Sequence, residues 1–236
     1  LYPEIKIQSP AEQMSALTSS SSHSASAALR ALLALDFAFQ HADNPEFASQ
    51  SGNHRGGLAA RLQDLSPAAF RLRREHDEMV LARASNIDAL ALDSDADRLH
   101  LRLFVADVRC ELDAFALGCH LTPINSIGYG GVVNNVLEAL DWNEDAAANR
   151  ANLVARILRV EAFPRQCRQY IELLRHGAAR GVLASKAMVR KAADQIRDIA
   201  DDEAKAAPLD VSRAGSEGDD DTALRERMVL ANAAFR

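Results

Sequence analysis

The sequence predicts an all-α protein, and three observations support this prediction. Of its 236 residues, 48% are hydrophobic, which is enough apolar material to bury a sizeable core. Only 5% are aromatic, and Ala and Leu, which favour helices over strands, supply most of the apolar side chains. Segments with apolar or amphipathic helical patterns are separated by Pro and Gly. We therefore expect a multi-helix array.

Charge and cysteine content exclude several classes of protein. The formal net charge of -6 disfavours broad electrostatic binding to nucleic acid or to an anionic membrane, so neither is predicted as a partner. No run approaches the roughly 18 apolar residues of a membrane span, and the first residues show no signal pattern, so the compartment is not predicted. The three cysteines, Cys110, Cys119 and Cys167, lack a C-x-x-C pair, and we expect buried thiols rather than disulfides or a zinc knuckle.

The chain divides by composition into a short segment and a domain. Residues 1–26 end in the Ser-rich stretch SALTSSSSHSAS, which predicts a flexible N-terminal segment. Residues 27–236 are expected to form the helical domain. The last helical pattern reaches the end of the chain without a Gly or Pro stop, and the chain begins with Leu1, so we expect a domain that is incomplete at its C-terminus.

Three helices are expected in the first half of the domain. The first covers Ala27 to Gln40, and the second starts at Ser66 and Pro67, where Ser can cap and Pro fits the first turn. It should end near Ala84. The third has acidic residues near its start, stops near Gly118, and takes its apolar face from Leu99, Leu103, Cys110, Phe115 and Cys119.

The second half predicts four more helices. Asn143 to Ala162 forms one, Pro164 separates it from a helix that ends at Gly177, and Ala184 to Ala206 forms another. Residues 201–221 are rich in Asp and Glu and predict a solvated acidic loop. The last helix begins near Thr222, and its apolar residues are Leu224, Met228, Leu230 and Phe235.

Three ordered segments carry a family resemblance: NPEFASQSGNH at residues 44–54, HLTPINSIGYGG at 120–131, and a helical block at 153–181. Together they resemble the bacterial-type family named domain of unknown function 885, whose complete members look like zinc metallopeptidases. The first segment matches P-x-x-A-S-x-x-G through Pro45, Ala48, Ser49 and Gly52. The second matches through Leu121, Pro123, Ile124, Asn125 and Gly128. The third matches through Arg156, Leu158, Pro164, Leu174, Gly177 and Gly181.

The resemblance implies the N-terminal portion of a larger helical metallopeptidase-like fold. It offers substrate-cleft or family-motif candidates, namely Pro45, Gly52, His120, Pro123, Asn125, Gly128, Arg156, Gly177 and Gly181. Complete members are expected to bind zinc through an H-E-x-x-H helix, which lies further towards their C-terminus. No H-E-x-x-H occurs here, and the nearest approach is His76-Asp77-Glu78. We therefore assign no catalytic residue, metal ligand or cofactor to this chain.

Other chemical patterns have simpler structural interpretations. Asp93, Asp95 and Asp97 begin like a calcium loop, but the required Gly and Glu are missing, so a helix N-terminus is favoured. The glycines at 128–131 lack a P-loop Lys or a preceding strand and predict a tight turn. Cys119 beside His120 is an unpromising nucleophile and base, because such pairs usually meet across a fold. Gly177 and Gly181 predict helix packing and capping.

An Arg-rich region is the remaining candidate for binding. Ten Arg and Lys residues lie between positions 150 and 191 and are opposed only by Glu161 and Glu172. Guanidinium groups grip carboxylates in a bidentate manner, so part of this face could hold a substrate terminus or contact the acidic 201–221 segment. The simpler interpretation is a solvated helix face.

Two functions remain open. In the first, the chain is the N-terminal helical portion of a zinc-dependent peptidase-like protein and shapes a cleft for a peptide substrate together with the missing C-terminal part. In the alternative, it is a non-catalytic helical module that binds a partner or acts as a scaffold. A severed half-domain should expose the apolar face of the last helix at Leu224, Met228 and Phe235, and should self-associate through it.

Overall fold

The computed structural model describes residues 24–53, 55–124, 146–202, 209 and 219–235. These residues contain α-helices and short 3-10 helices and no strand, which confirms the all-α prediction. The α-helices are α1 (Ala25–Asp43), α2 (Pro45–Gln50), α3 (Pro67–Ser85), α4 (Asp95–Ala116), α5 (Ala146–Ala179), α6 (Lys186–Asp201) and α7 (Asp219–Phe235). The 3-10 helices are η1 (Arg55–Ala60), η2 (Ala89–Ala91) and η3 (Cys119–Leu121).

The chain forms two compact units. Unit A contains the described residues of 24–43 and 65–121, and therefore α1, η2, η3, α3 and α4. Unit B contains the described residues of 44–64 and 122–235, and therefore α2, η1, α5, α6 and α7. Each unit has its own buried apolar cluster.

The core of unit A lies among α1, α3 and α4. Its buried residues are Leu29, Leu32, Val80, Ala84, Leu92, Leu101 and Val108. Helix α3 begins as predicted, because the Ser66 hydroxyl accepts the Ala69 N–H at 3.2 Å and Pro67 occupies the first helical position. The predicted positions of the first three helices are confirmed to within a few residues.

The acidic start of α4 is a helix N-terminus, as predicted. Ser94 is its N-cap, and its hydroxyl accepts the Asp97 N–H at 3.1 Å. The Asp97 carboxylate in turn accepts a hydrogen bond from the Ser26 hydroxyl at 2.7 Å. The same Ser26 oxygen accepts the Asp93 N–H at 2.9 Å. This fully buried serine therefore joins the start of α1 to the start of α4.

The predicted apolar face of α4 is wrong. Leu99, Leu103 and Cys110 are exposed, and the face that packs in the core instead carries Leu101, Phe104, Val105, Val108 and Leu112. Both faces of this helix are apolar, so its sequence period does not choose between them. The expectation of buried thiols also fails for Cys110 and Cys119, which are exposed, whereas Cys167 is half-buried.

The core of unit B joins α5 and α7. Leu153, Ile157 and Val160 of α5 pack in one buried cluster with Leu224 and Met228 of α7. The expected exposure of Leu224 and Met228 is therefore wrong, because α5 covers that face of α7. The side chain of Phe235 lies outside the described residues, and the large apolar side chains of α7 that the structure describes as exposed are Val229 and Leu230.

Helix α5 continues through Pro164, whereas the sequence predicted a break there. Proline lacks an N–H and costs a helix interior about 3 kcal/mol. Val160 and Phe163 on one side of Pro164 and Leu173 on the other are buried, and this packing holds the helix together through the position.

The end of α5 confirms the capping prediction for Gly181. Gly181 has φ +74°, the Val182 N–H donates to the Gly177 carbonyl at 2.9 Å, and the Gly181 N–H donates to the Ala178 carbonyl at 3.2 Å. These are the two bonds of a Schellman cap. The helix ends at Ala179, and Gly177 is buried inside its last turn.

Helices α6 and α7 agree with their predicted positions. Helix α6 is capped by Ser185 and is shorter than expected, and α7 begins at Asp219. Most of the predicted acidic loop and the glycine turn at 128–131 lie outside the described residues. No helix among the described residues is long and apolar enough to cross a membrane.

Candidate functional site

Helix α2 explains the first motif residue by residue. Asn44 caps the helix by accepting the Phe47 N–H at 3.0 Å, and Pro45 occupies the first turn. At the other end, Gly52 has φ +76°, and the Asn53 N–H donates to the Ala48 carbonyl at 2.8 Å. Because few other residues adopt this positive φ, the Gly of P-x-x-A-S-x-x-G serves as a helix cap.

A buried arginine ties this motif to α5. Arg159 is fully buried, and its Nη2 donates to the Ser49 hydroxyl at 2.5 Å and to the Pro45 carbonyl at 3.3 Å. A longer contact of 3.5 Å joins the same nitrogen to the Leu58 carbonyl in η1. One guanidinium on α5 therefore holds α2 and η1 together.

A buried glutamate makes the second connection. Both carboxylate oxygens of Glu46 accept the Gln63 N–H, at 2.9 and 3.0 Å, and Oε1 also accepts from Gln166 Nε2 at 3.1 Å. Gln166 Nε2 donates as well to the Gln63 carbonyl at 3.1 Å. We call Glu46, Ser49, Arg159 and Gln166 the motif cluster.

Burial shifts the titration of groups in and beside the motif cluster. Burial and the nearby charge of Arg156 lower the pKa of Arg159, and the charge of Glu46 opposes this shift. Burial, with Glu46 and Cys167 adding to it, raises the pKa of Tyr170 to about 12. Burial also raises the pKa of Cys167, against the charge of Arg168. None of these shifts produces an activated nucleophile or a base that is poised near neutral pH.

Unit A contains a buried histidine and carboxylate pair. His76 Nε2 lies 2.9 Å from Asp36 Oδ1, and both residues are buried. The Phe39 ring stacks on the imidazole with centroids 3.7 Å apart, and Gln40 Nε2 donates to the other Asp36 oxygen at 2.7 Å. Among the described residues, His76 Nδ1 has no hydrogen-bond partner.

Asp77 in unit A has a strongly raised pKa. Burial, and then the charges of Asp36, Glu111 and Asp43, raise this pKa from 3.8 to about 7, whereas Arg73 opposes the shift. Arg73 itself donates to Asp43 at 2.7 Å. Asp77 thus belongs to a group of acidic side chains whose combined charge Arg73 offsets only in part.

The described residues do not fit a zinc site. They contain no group of three or more His, Cys, Asp or Glu side chains that could hold a metal ion. His76 has the partner geometry of a ligand that a carboxylate orients, but its ring is only 1% exposed, and Asp36 is the one acidic residue within hydrogen-bond distance of it among the described residues. An imidazole that is buried in this way, stacked on Phe39 and hydrogen-bonded to Asp36, is better explained as part of the core.

The predicted motif residues fall into three groups. Pro45, Arg156 and Gly177 lie in α2 and α5 of unit B, and Gly52 and Gly181 follow the ends of these two helices. His120 lies in η3 of unit A, where its ring stacks on Phe115 with centroids 4.3 Å apart, and Phe70 lies 4.8 Å away. Pro123 is half-buried, and Asn125 and Gly128 lie outside the described residues.

The sequence did not predict most of the residues that connect α2 and η1 to α5. Glu46, Arg159 and Gln166 are buried polar side chains, and several of their hydrogen-bond partners lie more than 100 positions away along the chain. A signal was present at Arg159, which lies in the apolar run LVARILRV directly before the buried Val160 and two positions after the buried Ile157. An arginine inside an apolar face indicates a buried, paired cation.

Comparison with known proteins identifies the family of this chain. A family model described as a bacterial protein of unknown function, DUF885, matches residues 45–236. The chain belongs to the DUF885 family. The matched region begins at Pro45, the first residue of α2, and includes all of unit B from there on. Searches of curated proteins and of solved structures found no match.

Proposed function

We propose that this DUF885 chain is a helical scaffold that shapes one wall of a substrate cleft in a zinc-dependent peptidase-like protein, without supplying zinc ligands itself. The observation that carries the scaffold part is the motif cluster. Pro45 occupies the first turn of α2, Ser49 accepts a hydrogen bond from the buried guanidinium of Arg159, and Gly52 caps the end of the helix. Residues engaged in this way fix backbone geometry and have no free group for chemistry.

The peptidase part of the proposal rests on the ordered resemblance of the three segments. The family description itself assigns no function. In this chain, the side chains suited to a peptide substrate are the exposed arginines of α5, such as Arg168 and Arg175. A guanidinium can bind the terminal carboxylate of a peptide through two parallel hydrogen bonds, and Arg159 is not available for this because it is buried.

The test compares this 236-residue chain with a longer chain that continues past Arg236 through the expected metal helix. Bound zinc and peptidase activity are measured for both. The proposal predicts zinc and activity in the longer chain only, and both should be absent from the shorter one. If neither chain has zinc or activity, the peptidase part fails. An Arg168→Ala, Arg175→Ala double variant of the longer chain should raise KM for peptides with a free C-terminal carboxylate more than for amidated ones.

A second candidate is a partner-binding helical module, which α6 favours. This helix carries apolar side chains on an exposed face, including Val189 and Ile196, and Leu183 just before it is also exposed. Hydrogen exchange distinguishes the two candidates. Added protection of α6 in the longer chain supports the scaffold of a larger protein, whereas unchanged exchange favours an external partner.

A further inference from the structure

One residue of the connection between α6 and α7 lies in the core of unit B. Leu209 is 3% exposed, and its side chain belongs to the buried apolar cluster of α5 and α7. Its neighbours in this cluster include Ile157 on α5 and Met228 on α7, which are both fully buried. We call the apolar residues of this cluster on α5 and α7, together with Asn232 of α7, the Leu209 pocket.

Asn232 binds the main chain of Leu209 through two hydrogen bonds. The Leu209 N–H donates to Asn232 Oδ1 at 3.0 Å, and Asn232 Nδ2 donates to the Leu209 carbonyl at 2.9 Å. A carboxamide has one acceptor and one donor group, and here each meets one main-chain group of the same residue. Paired residues of two antiparallel strands exchange the same two bonds. Asn232 therefore recognises the main chain of its partner, and the apolar cluster holds the side chain.

The burial of Asn232 makes an occupied pocket favourable. Asn232 is only 8% exposed, and a buried carboxamide that loses its hydrogen bonds is destabilising. Departure of Leu209 would remove both bonds and would open an apolar cavity beside the carboxamide. The vacated pocket would favour an occupant that offers the same three elements: a leucine side chain, a main-chain N–H and a main-chain carbonyl.

We propose that the Leu209 pocket is a recognition site for a leucine-containing peptide segment, and that Leu209 of the same chain occupies it as an internal ligand. Local opening releases Leu209 and leaves α5 and α7 folded. Because Leu209 is tethered, its high effective concentration keeps external peptides out of the closed pocket. This site differs from the exposed arginines of α5, because it recognises an apolar side chain and a main chain and needs no terminal carboxylate.

Binding of a leucine peptide to the full 236-residue chain tests the proposal. The probe is Lys-Ala-Ala-Pro-Leu-Asp-Val-Ser, acetylated and amidated, which copies residues 205–212. Leu209→Asp should vacate the pocket, because a carboxylate is costly to bury among apolar side chains. This variant should bind the peptide at least about tenfold more tightly than the wild type, measured by NMR of the peptide signals. Equal binding to the two chains, or binding to neither, would overturn the proposal.

Two further variants of the chain serve as controls. Leu183→Asp places the same charge at a leucine that is 71% exposed just before α6, and it should leave peptide binding at the wild-type level. Leu209→Ala shortens the internal ligand without adding a charge, and it replaces Leu209→Asp if circular dichroism shows that the latter has lost helix. It should also bind the peptide more tightly than the wild type. An equal gain from Leu183→Asp would contradict a specific pocket.

Changes in the peptide test which groups the pocket recognises. N-methylation at the leucine removes the N–H that Asn232 Oδ1 would accept, and it should weaken binding to the Leu209→Asp chain about tenfold. The same modification at the terminal serine should change the affinity less than about twofold. If the two methylated peptides bind equally well, Asn232 does not recognise the main chain and the proposal is wrong. These measurements need no zinc, so their outcome is separate from that of the peptidase test.

Discussion

Both units bury polar side chains, but the charged groups among them have different kinds of neighbours in the two units. In unit B, Arg159 lies among hydroxyl and carbonyl acceptors, and Glu46 is held by amide donors. In unit A, the carboxylates of Asp36, Glu111 and Asp43 raise the pKa of Asp77, and the guanidinium of Arg73 opposes them. In unit B, each charged group has hydrogen-bond partners of the complementary kind. The arrangement in unit A leaves a carboxyl group that holds its proton up to near neutral pH.

This difference teaches that burial alone does not mark a functional site. The motif at residues 45–52 is conspicuous in the sequence, yet its side chains serve, with those of Arg159 and Gln166, to hold α2, η1 and α5 together. The acidic group of unit A is inconspicuous in the sequence, yet it contains the residue whose pKa is raised to about 7. Four substitutions sharpen the comparison.

The largest effect should come from Arg159→Ala. It removes the buried guanidinium, leaves the Ser49 hydroxyl and the Pro45 carbonyl without their donor, and opens a cavity. We expect a loss of about 3–5 kcal/mol in the free energy of unfolding, measured by denaturant titration of unit B signals. Arg175→Ala, an exposed arginine on the same helix, is the control and should change stability by less than about 0.5 kcal/mol. Equal effects would contradict a buried clamp.

Ser49→Ala should have the next largest effect. It removes the hydroxyl that accepts from Arg159 at 2.5 Å, and leaves the guanidinium short of an acceptor. A hydrogen bond to a charged group contributes about 1.5–3 kcal/mol, and we expect a loss in that range by denaturant titration. Ser51→Ala, two positions along at the C-cap, should be nearly neutral. If Ser49→Ala is neutral as well, Arg159 finds its acceptors elsewhere.

Asp77→Asn should stabilise unit A, and only above acidic pH. Because the folded state raises the pKa of Asp77 from 3.8 to about 7, the ionisation of Asp77 destabilises the wild-type fold progressively as pH rises between those values. The neutral amide removes this destabilisation. The gain of Asp77→Asn over wild type should therefore grow from about pH 4 to pH 7 and stay constant above it. Thermal unfolding at several pH values measures it, with Glu75→Gln as the exposed control.

The smallest effect should come from Arg227→Ala. Arg227 forms a bidentate ion pair with Glu161, with both distances at 2.7 Å, and the Glu161 hydrogen bond raises the pKa of Arg227. Because the pair is exposed, its loss should cost less than about 1 kcal/mol and should shrink further in high salt. If Arg227→Ala cost as much stability as Arg159→Ala, the exposed ion pair would stabilise the fold as strongly as the buried guanidinium, which contradicts the comparison.

Much of the fold could be predicted from the sequence, because local signals determined it. Ser66 with Pro67, Ser94 before an acidic turn, and Gly181 after α5 each mark a helix end by chemistry that acts within a few residues. The continuity of α5 through Pro164 could not be predicted in this way. It depends on packing around Val160 and Phe163, and tertiary contacts override the local preference of proline.

The candidate site was predicted only in part, for a related reason. The motif positions Pro45 and Gly52 could be recognised, but the role of Arg159 depends on Ser49, which lies 110 positions away along the chain. The face of α4 was misassigned because Leu99 and Leu101 are equally apolar, and only the packing of α1 and α3 decides which one is buried. The packing of the assembled core decides which residues are buried together, and the local sequence does not show the outcome.

The central claim is that the family motif in this chain is a structural clamp, and a double-mutant cycle between Ser49 and Arg159 tests it most directly. Unfolding free energies are measured for the wild type, Ser49→Ala, Arg159→Ala and the double variant. A direct, buried hydrogen bond predicts a coupling energy of about 1–3 kcal/mol between the two positions. Independent effects that simply add would show that the motif and α5 are not joined through this contact, and would contradict the account.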